Sequence, residues 1–135
     1  MIRPLSLVLA LIAPLPALAE SLSVRLNALQ PQPEACRTIF ALDSGLATDI
    51  EALTAEIVVL DRAGRVDRLT LLDFQSLPAG RPRVRSFDLP GLDCAELGGV
   101  LLNGFATCQG EGLTPPDCDR ALVPGSDVEG VEVRG

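Results

Sequence analysis

The chain of 135 residues contains no histidine, tryptophan, tyrosine or lysine, and its only aromatic side chains are four phenylalanines. Each absence removes a class of function. Without imidazole, ammonium or phenol groups, acid–base chemistry is left to carboxylates, and Ser44, Ser76, Ser86 and Ser126 have nothing to activate them as nucleophiles. A hydrolase built on paired carboxylates stays open as a reading, though the aromatic platforms that commonly hold a sugar substrate are missing. Positive charge is also scarce: eleven arginines face eighteen acidic residues, for a formal net charge of −7. Nucleic acid is bound by a basic face that displaces counterions, so this acidic chain is not expected to bind it. A core without Trp or Tyr must be filled by Leu, Val, Ile and Ala, which raises the value of covalent bracing.

Met1 to Ala19 has the three parts of a secretory signal: a basic residue, Arg3; an apolar run, Leu5 to Ala13; and a small-x-small end, Ala17-Leu18-Ala19. Pro14 and Pro16 interrupt the run well short of the roughly 20 apolar residues that a bilayer-spanning helix needs. The lone Arg3 argues against a twin-arginine signal, and no cysteine stands at the cleavage point to accept a lipid. Cleavage is expected before Glu20, leaving residues 20–135 as one domain without a membrane span, in the periplasm or secreted. Loss of Arg3 takes the net charge of −7 one unit further negative.

Cys36, Cys94, Cys108 and Cys118 form an even set in an oxidising compartment, where disulfides are expected. Loop entropy does not choose among their three pairings. Closing a loop of about 60 residues is worth about 4 kcal/mol, one of about 10 residues about 2.7 kcal/mol, and the alternatives sum to similar or larger totals. A redox site would want a C-x-x-C pair, and the nearest spacing, Cys108 to Cys118, is far too wide. A zinc site without histidine would need all four thiolates at close spacing. The cysteines therefore read as structural staples, and no metal or cofactor is expected.

Leu22 to Ala28 alternates apolar and polar residues, the period of a half-buried strand, before Pro31 and Pro33 end it. Cys36 to Leu42 gives a second strand with Cys36, Thr38, Phe40 and Leu42 on one face, followed by the turn Asp43-Ser44-Gly45. Leu46 to Asp61 has two readings. Leu46, Ile50, Leu53, Ile57 and Leu60 recur at helical spacing behind a Thr48-x-x-Glu51 capping box, which would make an α+β fold with a helix at about 48–60. Ile57-Val58-Val59 is β-branched, however, and Asp61-Arg62-Ala63-Gly64 leads into the strand-like Val66 to Leu72. A hairpin explains both flanks, so a strand from about Leu53 to Leu60 is favoured.

Leu77-Pro78-Ala79-Gly80 turns the chain into a strand over Arg81 to Leu89, with Pro82 at its start or on a sheet edge. Asp93 would cap a single helical turn over Cys94 to Leu97. Val100 to Thr107 reads as one strand with a bulge near Gly104, because a hairpin turning at Asn103-Gly104 would have very short arms. The Gly- and Pro-rich tail from Gly110 is expected to form a loop held by Cys118 and a last strand near Val128 to Val133.

About seven short strands at regular spacing predict an all-β fold, a sandwich with two disulfides. Val58-Val59-Leu60-Asp61-Arg62-Ala63-Gly64-Arg65-Val66, followed by Pro78-Ala79-Gly80-Arg81 and Phe87, resembles the FxLYD-type immunoglobulin-like domains of secreted bacterial proteins. Leu60 stands where those domains carry tyrosine, and the four cysteines fall outside their pattern. The resemblance, which covers roughly Cys36 to Leu89, implies an immunoglobulin-like β-sandwich and no particular activity. In a sandwich of that strand order Cys36 comes near Cys94, and Cys108 and Cys118 close the next loop. The resemblance thus implies the pairs Cys36–Cys94 and Cys108–Cys118.

Arg81, Arg83 and Arg85 alternate, so on a strand all three project from one face as a basic stripe on an acidic protein. They form a candidate docking site for an anionic partner, set against the plainer expectation of cross-strand pairing with Asp67, Asp73 or Glu56. Asp117 and Asp119 flank Cys118 with Glu111 nearby, but no D-x-D-x-D-G pattern makes them a calcium loop, and a solvated acidic loop is expected. The composition therefore points to a non-catalytic exported module that binds another envelope or extracellular protein or serves as an accessory subunit. The alternative is an inhibitor-like protein presenting the loop between Cys108 and Cys118, and the carboxylate hydrolase comes third.

Overall fold

The computed structural model describes residues 1–2, 8–14 and 20–135. Arg3, the start of the apolar run and the Ala17-Leu18-Ala19 motif lie outside the described residues. Among the described residues no helix is long and apolar enough to cross a membrane. The strands are β1 (Leu22–Gln32), β2 (Ala35–Ser44), β3 (Ile50–Asp61), β4 (Val66–Leu77), β5 (Arg83–Pro90), β6 (Leu97–Gln109), β7 (Leu122–Ser126) and β8 (Glu132–Arg134). A 3-10 turn at Cys94–Glu96 precedes β6, and a short helix α1 (Pro115–Ala121) follows it. They form two four-stranded sheets, ordered β5-β2-β1-β7 and β4-β3-β6-β8.

The first six strands follow the order of an immunoglobulin-like sandwich, with β5-β2-β1 opposite β4-β3-β6. The total is eight strands and not about seven, because the tail supplies two. β7 lies parallel to β1 in the first sheet, and β8 lies parallel to β6 in the second. The expected last strand over Val128 to Val133 is therefore β8, shorter and later, and β7 is an addition that its Val-Pro-Gly sequence conceals.

Period-two alternation builds the core. Cys36, Thr38, Phe40, Leu42 and Ser44 of β2 are all buried, as are Leu22, Val24 and Leu26 of β1. From the other sheet, Leu53, Ala55, Ile57 and Val59 of β3 meet them. This decides against a helix at 48–60: β3 pairs with β4 on one side and β6 on the other, which satisfies its backbone groups along most of its length. Phe40, Phe74 and Phe87 close one side of the core edge-on, with ring centroids 5.4 to 6.1 Å apart. Burial removes the Thr38 hydroxyl from water, and it donates to the Phe87 carbonyl at 3.1 Å.

β1 runs through Pro31 to Gln32, since Pro31 sits beyond the reach of β7 and no neighbour there needs its missing N–H. β6 is a single long strand whose register against β3 shifts where Glu56 faces Gly104 and Ile57 faces Leu102. Asp93 caps the 3-10 turn by accepting from the Ala95 N–H at 3.0 Å. The disulfides Cys36–Cys94, with Cα atoms 5.0 Å apart, and Cys108–Cys118, with Cα atoms 6.5 Å apart, tie β2 to the start of β6 and β6 to α1.

Candidate docking face

The second sheet turns one face to the core and the other to solvent, and the solvent face is apolar at its centre. In β4, Leu72 and Phe74 point inward, while Val66, Leu69 and Leu71 are 57, 60 and 58% exposed. Pairing across the sheet extends the row. Leu69 faces Val58 of β3, which faces Leu101 of β6, and Val66 faces Leu60, which faces Gly99. Val58 is 7% exposed because its neighbours on the same face cover it. Val58, Leu60, Val66, Leu69, Leu71 and Leu101 thus make one contiguous apolar surface.

Polar residues frame it. At one end Asp73 and Glu56 are followed by Thr54; Glu56 accepts from the Asn103 side-chain amide at 2.7 Å, and Asp73 accepts from the Gln75 N–H at 2.8 Å. At the other end is the β3–β4 turn, with exposed Arg62 and Arg65. Arg134 of β8 lies beside Leu101 and pairs with Glu132 at 3.7 Å. Beside the apolar rows lies a hollow of about 610 Å³ floored by Gly98 and Gly99, with Leu60 and Leu101 as walls. Glycine at 98 is a steric necessity, because a Cβ there would overlap the Asp61 carbonyl. Gly99 instead leaves the outer face open: a Cβ would meet Leu60 at an ordinary 3.6 Å.

Arg81, Arg83 and Arg85 do not form an outward basic stripe. Arg81 precedes β5, and Arg83 and Arg85 lie on the half-buried side of that strand with Phe87 and Leu89. The Arg85 guanidinium donates to the Phe74 carbonyl at 2.8 Å and the Ser76 carbonyl at 3.0 Å. The expected pairing with acids is likewise absent: Asp67 pairs with Arg68 at 2.6 Å, while Asp73 and Glu56 bond the amides described above. Arg68 reaches back across the same gap to the Pro90 carbonyl at 2.6 Å. These guanidiniums lace β4 to β5 where the two sheets have no strand in common.

The segment between Cys108 and Cys118 is not an open acidic loop. Thr114 and Asp117 form a capping box with Pro115 in the first turn, and the resulting helix α1 packs on β6. Asp119 accepts from the Phe105 N–H at 2.9 Å, meeting a backbone donor beside the β6 register shift. Among the described residues no three acidic or thiol side chains are grouped to hold a metal ion. Hydrogen bonds from Thr114 hold the Asp117 carboxyl below its ordinary value, and Arg120 adds to the effect. Asp88 is lowered by its hydrogen bonds from Arg37, and Asp127 by those from Arg25.

The apolar face was missed in the sequence, although a signal was present. Leu71 and Leu72 are adjacent, so a strand through them must show an apolar residue on each face.

No family model matches the chain, and no curated protein matches it. The fold is similar to that of IrmA from Escherichia coli, with a TM-score of 0.62 over 78% of this chain and 91% of that one, at 15% sequence identity. A likeness at that identity shows the fold alone.

Proposed function

We propose that the protein is a non-catalytic module of the periplasm or extracellular space that works by docking a protein surface onto the outer face of its second sheet. The observation that carries this reading is the exposure of Val66, Leu69 and Leu71 around Val58. Contiguous apolar surface with a polar rim marks interaction sites on soluble proteins. Two disulfides support an oxidising environment. The residue inventory supports a binding role over catalysis, since the chain lacks the common general bases other than carboxylates.

The test places a photo-crosslinking residue at Leu69 or, as a control, at Val84, which is 64% exposed on the first sheet. In the native cell envelope, protein adducts are expected from position 69 and not from 84. Adducts from 84 alone, or from neither, overturn the reading.

A further inference from the structure

The partner of this face can be named from its charge pattern. Along β4, Arg65 lies four residues before Leu69 and Asp73 four residues after it, about 13 Å either way at about 3.3 Å per residue. Both are exposed, and neither has an ion-pair partner among the described residues. The face therefore carries a carboxylate at one end, a guanidinium at the other, and leucine midway between.

We infer that the surface bound to this face is a second copy of the same chain, related by a two-fold axis that lies across the strands and passes at Leu69. The inference rests on the docking reading above. That rotation sets Leu69 against its counterpart, brings Leu71 over Val66 of the second copy, and places each Asp73 beside the opposite Arg65. The same operation brings the hollow above Gly99 opposite the exposed Asn103, two residues to the other side of Leu101. An unrelated partner would need the reversed charge order as a separate property. A second copy has it by symmetry, which is the self-complementarity a two-fold interface requires. Two such faces would stack as sheets do in a sandwich, about 10 Å apart and inclined by about 30°.

Sedimentation equilibrium of the exported protein is expected to show a monomer–dimer equilibrium. Asp73→Arg and Arg65→Asp should each weaken it about tenfold or more, because each brings two like charges together twice. Mixing the two variants one to one restores both opposite pairs in a heterodimer, so dimerisation should recover to near the wild-type level. Leu69→Glu should leave a monomer with an unchanged far-ultraviolet circular dichroism spectrum. Two results overturn the inference: a wild-type monomer at every concentration, or charge variants that dimerise as the wild type does and gain nothing on mixing. A monomer whose Leu69 crosslinker still captures a different protein in the envelope rejects the second copy and leaves the docking reading standing.

Discussion

Arginine is the only cationic side chain in this protein, and at the open side of the sandwich two guanidiniums bond carbonyl oxygens in preference to carboxylates. Arg85 takes two carbonyls of β4, and Arg68 takes the last carbonyl of β5. Fork-shaped donors suit this, since one side chain satisfies acceptors that a missing neighbour strand would have met. The alternation of Arg81, Arg83 and Arg85 was legible in the sequence, but whether their shared face looked inward was not. That depended on Phe87 and Leu89 continuing the same face into the core. The exposed pairs behave differently and carry a pH signature. Arg37 holds the Asp88 carboxyl below its ordinary value, so the folded state gives up that proton more readily than the unfolded state. The stabilisation is present above the unfolded value, about pH 4, and is lost as the pH falls through the lower folded value. Asp88→Asn should therefore flatten the acid limb of a plot of urea midpoint against pH. An unchanged limb would assign it to other carboxylates, Asp117 and Asp127 being the first to examine.

The strands were legible wherever apolar residues alternated, as in Cys36 to Leu42, whose alternate side chains are all buried. β3 was ambiguous because Leu46 and Ile50, which completed the helical spacing, are buried near the entry to the strand and not along it. α1 was illegible for a different reason: seven residues are too few to show a periodicity, and two prolines within them suggest a loop. Its signals were the Thr114–Asp117 spacing and the first-turn proline, which are capping signs and not hydrophobic ones. The two disulfides should differ in what they hold. Replacing both Cys36 and Cys94 by serine opens the longer loop and should cost about 4 kcal/mol, against about 3 kcal/mol for Cys108 and Cys118. Urea titration measures both. Hydrogen exchange should separate them further. Loss of Cys108–Cys118 should expose the α1 amides and the Phe105 amide that Asp119 caps, leaving β2 and β3 protected. Uniform loss of protection would show that the helix is integral to the whole fold.

At the scale of the molecule, two facing sheets followed from the number and spacing of the strands, and the first six took an immunoglobulin-like order. The last two could not be foreseen, because β7 and β8 are short and their places are set by which sheet edges remain open. Deleting residues 122–135 removes the outer strand from both sheets at once. The shortened chain should lose cooperative thermal unfolding by circular dichroism, whereas a sharp transition would show that six strands suffice. The parallel pairing of β1 with β7 also orders events in time. Arg25 near one end of the chain finds Asp127 near the other, at 2.6 Å, and Leu22 to Leu26 have no second neighbour until Leu122 to Ser126 arrive. A chain emerging N-terminus first from a narrow channel would hold an unfinished sheet until nearly its whole length was through. Pairings this distant in sequence also close slowly, in milliseconds to seconds for comparable all-β domains. The strand order thus acts as a delay, keeping the chain threadable for as long as it is still being threaded.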